Sequence, residues 1–125
     1  MEARLDYAKL APEPMRALFS LGAYLEKSGL ERPLLELVTI RASQMNGCAY
    51  CIDMHTKDAR AAGETEQRIY ALSAWRETPF FTDRERAALA WTEGVTQIAH
   101  GVSDELFEEA RGQFSEKELV DLNWA

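Results

Sequence analysis

Hydrophobic residues recur at three- and four-residue spacing along almost the whole chain, which is the pattern of amphipathic α-helices. In the first such run Met15, Leu18, Phe19, Leu21 and Leu25 share one side of a helix. No segment alternates apolar and polar residues as a half-buried strand would. The pattern therefore predicts an all-α fold of about seven helices, at about 14–29, 33–46, 48–62, 65–75, 83–100, 104–111 and 116–125.

Capping residues support these boundaries. Thr82 with Glu85, and Ser115 with Glu118, have the spacing of capping boxes, in which two side chains satisfy the first free amides of a helix. Gly47 is placed to end the second helix. The helices are thus separated by short connections, and no internal repeat or low-complexity linker divides them.

The length of 125 residues fits a single domain over positions 1–125 with one hydrophobic core. The last predicted helix ends on Leu122, Trp124 and Ala125 without a stop signal. Three interpretations of this end remain open: the helix is cut short, it docks on another subunit, or it frays.

The charge pattern excludes several classes of partner. The 14 Lys and Arg residues against 21 Asp and Glu give a formal net charge of -7, and the basic residues are scattered, so nucleic acid is not an expected partner. The N-terminal stretch MEARLDYAKLAPEPM lacks the apolar core of a signal peptide, and no window is apolar enough to cross a bilayer. A cytoplasmic protein without a membrane partner is expected.

Both cysteines and one of the two histidines lie in the stretch NGCAYCIDMH. On a helical wheel Cys48, Cys51, Ile52, His55 and Ala59, together with Ala62, fall on one stripe about 100° wide. Cys48 and Cys51 are close enough for a disulfide across the first turn, and Cys51 and His55 have the spacing at which helical side chains touch. The stripe should face the interior.

A thiol at this position needs help to ionise at neutral pH. A free cysteine has a pKa of about 8.5, and a helix dipole supplies only about 0.3–1 kcal/mol, which is less than one pKa unit. Partial burial acts in the opposite direction. His55 is the only histidine placed to act as the base, and a carboxylate is then needed to orient it or to take its proton. Glu36, at the edge of the preceding helix beside Ile40 and Ser43, is the candidate.

Several other chemistries compete with a redox dithiol. The cysteines could serve only for packing or as a redox sensor in a non-catalytic helical oligomer. Two thiolates, an imidazole and a carboxylate could also form a tetrahedral zinc site, although one helix would then supply three of the ligands. Thioredoxin-like chemistry is disfavoured because no βαβ pattern surrounds the motif.

Glu36, eleven intervening residues and then Cys48-x-x-Cys51-x-x-x-His55 resemble the signature of the AhpD-like alkylhydroperoxidases of the carboxymuconolactone decarboxylase superfamily. The stretch WRETPFFTDRERAALAWTEGVT resembles a second block of that superfamily, so the likeness covers about residues 13–110. The resemblance implies an all-helical fold that assembles as a homo-oligomer, either a trimer or a hexamer.

The resemblance also implies a peroxidase that cycles between a dithiol and a disulfide. Cys48 and Cys51 would be the redox pair, His55 the base and Glu36 the far end of a proton relay through water. The substrate would be a hydroperoxide, no cofactor would be bound, and an external dithiol such as a lipoyl-bearing protein would be the reductant. The helix dipole favours Cys48, which is nearer the helix N-terminus, as the attacking thiol, whereas the base His55 favours Cys51. We expect Cys51 to attack the hydroperoxide and Cys48 to react with the reductant.

The likeness has two departures from the family pattern. Well-known members carry a histidine between the cysteines, where this chain has Tyr50, so the relay and the activity are expected to differ. The decarboxylase branch generally lacks the cysteine pair, which makes lactone decarboxylation improbable for this chain.

The remaining candidate residues are expected to be structural. His100, just before Gly101, is placed to cap a helix end, where a cation suits the dipole. Four aromatic residues are expected to anchor the core or a subunit interface, with pocket lining as the alternative: Trp75, Phe80, Phe81 and Trp91.

Overall fold

The computed structural model of the chain describes residues 5–125 and is all-α there, as the sequence predicts. Residues 1–4, which begin the N-terminal stretch considered above, lie outside the described residues. No helix in the described range has the length and apolar character needed to cross a bilayer. The elements are α1 (Tyr7–Leu10), α2 (Pro12–Leu25), α3 (Arg32–Asn46), α4 (Ala49–Ala61), α5 (Glu66–Ala71), a 3₁₀ helix (Leu72–Glu77), α6 (Asp83–Thr96), α7 (Asp104–Arg111) and α8 (Glu116–Trp124).

Helix α3 is the centre of the fold and is buried along two sides. One side, with Leu34 and Val38, joins a cluster contributed by α6, α7 and α8. The other side, with Leu37 and Ile40, joins a second cluster contributed by α4, α5, the 3₁₀ helix and α6. Because both sides of α3 are covered, its remaining edge is the part that can carry polar side chains toward solvent.

Both capping boxes predicted from the sequence are confirmed. Thr82 accepts a hydrogen bond from the Glu85 amide while the Glu85 side chain accepts one from the Thr82 amide. Ser115 and Glu118 repeat this arrangement at the start of α8. These caps fix where α6 and α8 begin, close to the predicted positions.

The predicted helix at 65–75 is wrong in its second half, which forms the 3₁₀ helix. The backbone of Ala74 departs from helical values, with φ -117° and ψ 29°. The guanidinium of Arg86 donates hydrogen bonds to the carbonyls of Trp75, Arg76 and Thr78, so these carbonyls have donor partners without a regular α-helix. This tertiary contact cannot be read from local periodicity.

Helix α6 ends at Thr96, several residues before the predicted end. Ile98, which continues the apolar periodicity, is 87% exposed, so no core is available to hold a further turn. His100 therefore lies in an exposed turn beyond the helix, and its predicted role as a helix cap is wrong.

Helix α2 packs only lightly on the rest of the chain. It begins at Pro12 and ends at Leu25, a shorter C-terminal extent than predicted, and none of its residues is buried. Leu18 and Phe19, on its predicted apolar side, are 61% and 70% exposed. The amphipathic pattern of α2 is thus present, but its apolar side is not covered within the described chain.

Glu93 of α6 ties α3 to the 3₁₀ helix. Its Oε1 accepts hydrogen bonds from Arg41 Nε at 2.7 Å and from Trp75 Nε1 at 2.9 Å, and Arg76 pairs with Oε2. Burial raises the pKa of Glu93, but hydrogen bonds from Arg76, Trp75 and Arg41 outweigh burial and hold that pKa below its usual range. The ionised carboxylate therefore stabilises the packing of three elements.

We predict that Glu93→Gln lowers the free energy of unfolding near neutral pH by about 1–3 kcal/mol, because charged hydrogen bonds are weakened. A depressed folded pKa contributes stability that is present above the unfolded pKa and lost as pH falls through the folded pKa. The wild-type protein should therefore lose stability more steeply than the variant as pH falls below about 5.

The measurement is denaturant unfolding at several pH values between neutral and acidic. Glu109→Gln is the matched control, because Glu109 is an exposed glutamate on α7. Equal pH dependence in Glu93→Gln and the wild type would contradict the stabilising role of the ionised carboxylate.

Candidate functional site

The cysteine pair lies at a tight junction between α3 and α4. Gly47 ends α3 in the left-handed conformation, with φ 63°, where glycine has no steric penalty. The Gly47 amide donates to the Gln44 carbonyl and the Cys48 amide to the Ser43 carbonyl, which is the bonding of a Schellman motif. A single left-handed residue thus turns the chain directly into α4 and places Cys48 at its N-cap.

Cys48 is the N-cap of α4, and Cys51 lies in the first helical turn. The two residues form a disulfide, with their Cα atoms 5.4 Å apart. Cys48 Sγ also accepts a hydrogen bond from the Cys51 amide at 3.3 Å, and both residues are half-buried. Cys48 Sγ therefore takes the place of the oxygen that usually caps a helix N-terminus.

The predicted stripe on α4 is confirmed for most of its members. Ile52 and His55 are half-buried and Ala59 is fully buried, whereas Tyr50 is 75% exposed on the other side. Ala62, predicted on the same stripe, is exposed because it lies past the end of α4. The cysteines and the histidine thus share one side of α4.

Glu36 of α3 meets His55 of α4. Glu36 Oε2 lies 3.5 Å from His55 Nδ1, and both side chains are half-buried, with exposed fractions of 16% and 25%. This distance is longer than a good hydrogen bond. The structure therefore brings together the carboxylate and the imidazole that the sequence analysis paired, at a separation that a small shift of either side chain can close.

The Glu36 carboxylate is unusual among the half-buried carboxylates of this chain. Its Oε2 atom is buried and accepts no hydrogen bond within the described residues. Arg32 Nε lies 3.9 Å from Oε1, also beyond hydrogen-bond distance. An acceptor left in this state is destabilising by about 1–3 kcal/mol unless a water, a substrate or the imidazole supplies a donor.

A cavity of about 440 Å³ opens beside Glu36 and His55, within the size range of small-molecule sites. Its wall combines leucines with a few charged and polar groups, and neither cysteine is part of it. Cys51 lies one helical turn before His55, which is part of the lining. The lining residues are Gly22, Leu25, Glu26, Leu30, Arg32, Leu35, Glu36, Thr39, His55 and Ala125.

Glu36 also borders a smaller cleft of about 120 Å³. Pro33 of α3, Ala59 of α4 and residues of the α4–α5 turn, among them Gly63, form the rest of this cleft. Glu36 therefore borders two spaces, and either is large enough to hold a water.

The zinc alternative gains no support from this geometry. Among residues 5–125, no group of three or more His, Cys, Asp and Glu side chains is arranged to hold a metal ion. Both sulfurs are engaged in the disulfide, so neither is a thiolate ligand in this state.

Three of the aromatic residues singled out from the sequence belong to the core: Trp75 and Phe81 are buried, and Phe80 is half-buried against a core cluster. Trp91 is half-buried against the other core cluster and also lines a second cavity, of about 470 Å³, on the side of α7 and α8. Sequence reasoning missed Arg32 and Thr39, which line the cavity beside Glu36. Their spacing of four residues before and three after Glu36 on the same helix is the signal that could have found them.

An all-α domain with a CxxC pair at a helix N-terminus and a glutamate–histidine pair beside it defines a class of dithiol proteins. The chain belongs to the carboxymuconolactone decarboxylase family, whose model matches residues 12–94. That match contains every residue of the site from Glu36 to His55. With its cysteine pair, the protein is an AhpD-like member of that superfamily.

Individual relatives agree with this placement. The chain is 48% identical over 123 residues to the uncharacterised protein YdfG of Bacillus subtilis, covering 98% of this chain and 84% of YdfG. It is 28% identical to YnjA of Escherichia coli, also uncharacterised, covering 78% of this chain and 53% of YnjA.

A solved structure from Agrobacterium tumefaciens superposes with a TM-score of 0.93 at 44% identity, covering 98% of this chain and 85% of that one. That protein is of unknown function and is provisionally described as an AhpD antioxidant defence protein.

We predict that Glu36→Met leaves the free energy of unfolding unchanged or raises it by about 1–3 kcal/mol, because the substitution removes a buried acceptor without a donor. Glu93→Met is the matched comparison, since Glu93 has a similar exposed fraction and three donors, and it should destabilise the protein. Denaturant unfolding of both variants provides the measurement. If Glu36→Met destabilises as much as Glu93→Met, then Glu36 is mainly a structural residue.

Proposed function

We propose that the protein is a thiol-dependent hydroperoxidase that cycles between a Cys48/Cys51 dithiol and the Cys48–Cys51 disulfide. The observation that carries this proposal is the disulfide at the start of α4, one turn before a histidine that is paired with a half-buried glutamate. Antioxidant function also agrees with the AhpD-like relationship. The disulfide corresponds to the oxidised state of the cycle.

In the first step, His55 takes the proton of the Cys51 thiol and the thiolate attacks the terminal oxygen of the hydroperoxide. The O–O bond breaks, an S–O bond forms, and Cys51 is oxidised to a sulfenic acid. The alkoxide that leaves takes the proton back from His55 and becomes an alcohol. Glu36, 3.5 Å from His55 Nδ1, stabilises the imidazolium directly or through a water.

In the second step, Cys48 attacks the sulfur of the sulfenic acid. The S–O bond breaks, the S–S bond forms, and the hydroxide takes a proton and leaves as water. Cys48 lies at the N-cap of α4 with its sulfur beside the Cys51 amide, so it is close enough to the Cys51 sulfur for this resolving role.

An external dithiol then restores the enzyme. One of its thiolates attacks Cys48, Cys51 leaves and is protonated by His55, and the second thiol of the reductant releases Cys48 from the mixed disulfide. The reductant ends as a disulfide, and the sum is reduction of a hydroperoxide to an alcohol and water. We propose a lipoyl-bearing protein or a similar dithiol as this reductant, and a cytoplasmic location in which such reductants act.

We also propose that the protein is a homo-oligomer, either a trimer or a hexamer. Helix α2 supports this, because none of its residues is buried and Leu18 and Phe19 are 61% and 70% exposed. Light scattering should give a mass of three or six chains for the wild type and a smaller mass for Phe19→Glu. A monodisperse monomer would contradict the proposal.

We predict that one equivalent of an organic hydroperoxide removes two free thiols per chain from the reduced protein. Thiol counting before and after the peroxide measures this. Reduced protein with unreactive thiols would overturn the enzyme assignment, whereas slow oxidation without catalytic turnover in the presence of a dithiol would favour a redox sensor.

Single cysteine variants test the order of attack. In Cys48→Ser, a sulfenic acid should accumulate on Cys51 and react with a dimedone probe, because no resolving thiol is present. In Cys51→Ser, the same peroxide should give no sulfenic acid at a comparable rate. His55→Ala should slow formation of the sulfenic acid by about 10²–10⁴-fold, the usual contribution of a positioned base. The opposite pattern would make Cys48 the attacking thiol.

A further inference from the structure

The cavity beside His55 and Glu36 has a polar and an apolar lining. The polar lining includes Arg32, which begins α3 and is 73% exposed. The apolar lining is formed by Leu25, Leu30 and Leu35. A ligand that fills this space therefore needs an apolar body and one polar head group.

Arg32 is available to bind such a head group. Among the described residues that line the cavity, it is the only one with a permanent positive charge. Its nearest carboxylate oxygen, Glu36 Oε1, is 3.9 Å away, and its guanidinium makes no hydrogen bond within residues 5–125. By contrast, Arg41 and Arg84 are held by several acceptors of the protein. A largely exposed guanidinium that lines a cavity and makes no hydrogen bond to the protein is suited to a carboxylate, which it can bind through two parallel hydrogen bonds.

The other charges of the wall limit the charge of the ligand. Glu26 and Glu36 are both carboxylates of the lining, so a ligand with a second negative charge in the cavity would be repelled. A single anionic head is attracted by the Arg32 guanidinium, which offsets the repulsion from Glu36 beside it. The remainder of the ligand then lies against the leucines.

We propose that the cavity binds amphipathic monocarboxylates through Arg32, so that hydroperoxides of fatty-acid type are the preferred substrates. The identity of the oxidised group rests on the proposed peroxidase function, whereas binding of the carboxylate does not. Arg32 would act as a specificity-determining residue and take no part in the redox steps.

Binding is tested with the alcohol product of such a substrate, which requires no thiol chemistry. Isothermal titration of a medium-chain hydroxy fatty acid should give a dissociation constant about tenfold higher for Arg32→Gln than for the wild type. The methyl ester of the same acid should bind both proteins equally weakly, and Arg32→Lys should retain part of the preference for the acid.

Arg16→Gln is the matched control, because Arg16 is an exposed arginine of α2 outside the cavity lining, and its affinity should equal that of the wild type. Equal affinity for acid and ester, or an unchanged preference in Arg32→Gln, would overturn the proposal. Circular dichroism of the variants shows whether they are folded.

Kinetics separate this proposal from the peroxidase function. With a fatty-acid hydroperoxide, Arg32→Gln should lower kcat/KM about tenfold, whereas its activity with tert-butyl hydroperoxide should match the wild type. Carboxylate binding without any peroxidase turnover would refute the peroxidase function and leave the binding site standing. Peroxidase turnover with no discrimination between acid and ester would refute the binding site alone.

Discussion

The burial of α3 on two sides is the constraint on which the remaining structure depends. Leu34 and Val38 on one side and Leu37 and Ile40 on the other leave only a narrow edge of the helix outside the core. Glu36 lies at that edge, half-buried, where its position is fixed by well-packed neighbours. Gly47 then turns the chain into α4 at once, which places the cysteines and His55 on a helix that packs against the same edge. The candidate site is thus a consequence of how the core is built.

The part of the site that the sequence predicts best depends on local rules. The periodicity of α4 places Cys48, Cys51 and His55 on one side because helical phase is fixed by residue spacing. The edge position of Glu36 follows from the same argument on α3. The meeting of Glu36 with His55 depends on the packing of two helices, and periodicity alone did not determine it. The family spacing supplied that pairing, and the distance of 3.5 Å agrees with it.

Features that depend on tertiary contacts were beyond sequence reasoning. The 3₁₀ helix exists where Arg86 provides donors for three carbonyls, and a pattern of apolar residues contains no information about such a contact. Helix α6 stops at Thr96 although apolar residues continue, because the core ends there. In α2 the amphipathic pattern correctly predicts a helix, but the apolar side of that helix is not buried against any part of the described chain. Periodicity indicates that a segment can bury one side, and it does not identify the surface that covers that side.

The pairing of the half-buried and buried carboxylates gives the clearest physical distinction between stability and function in this fold. Glu85 and Glu93, which are half-buried, and Asp121, which is buried, each accept hydrogen bonds from two or more donors. Hydrogen bonds from those donors hold their pKa values below the usual range, in Glu85 and Glu93 against the opposing effect of burial. Glu36 is equally half-buried but keeps a buried oxygen without a donor.

Arg32, one turn before Glu36 on the same helix, has donors without an acceptor in the described chain. Glu36 and Arg32 thus line the same cavity, and each has hydrogen-bonding groups without a partner in the described chain. Such an arrangement would be unfavourable if only stability were selected. It is the arrangement expected where one group must exchange protons with His55 and the other must bind and release a ligand. The hydrogen-bonding groups left without partners at the edge of α3, more than the cysteine motif itself, therefore support the proposal that this surface is the functional site.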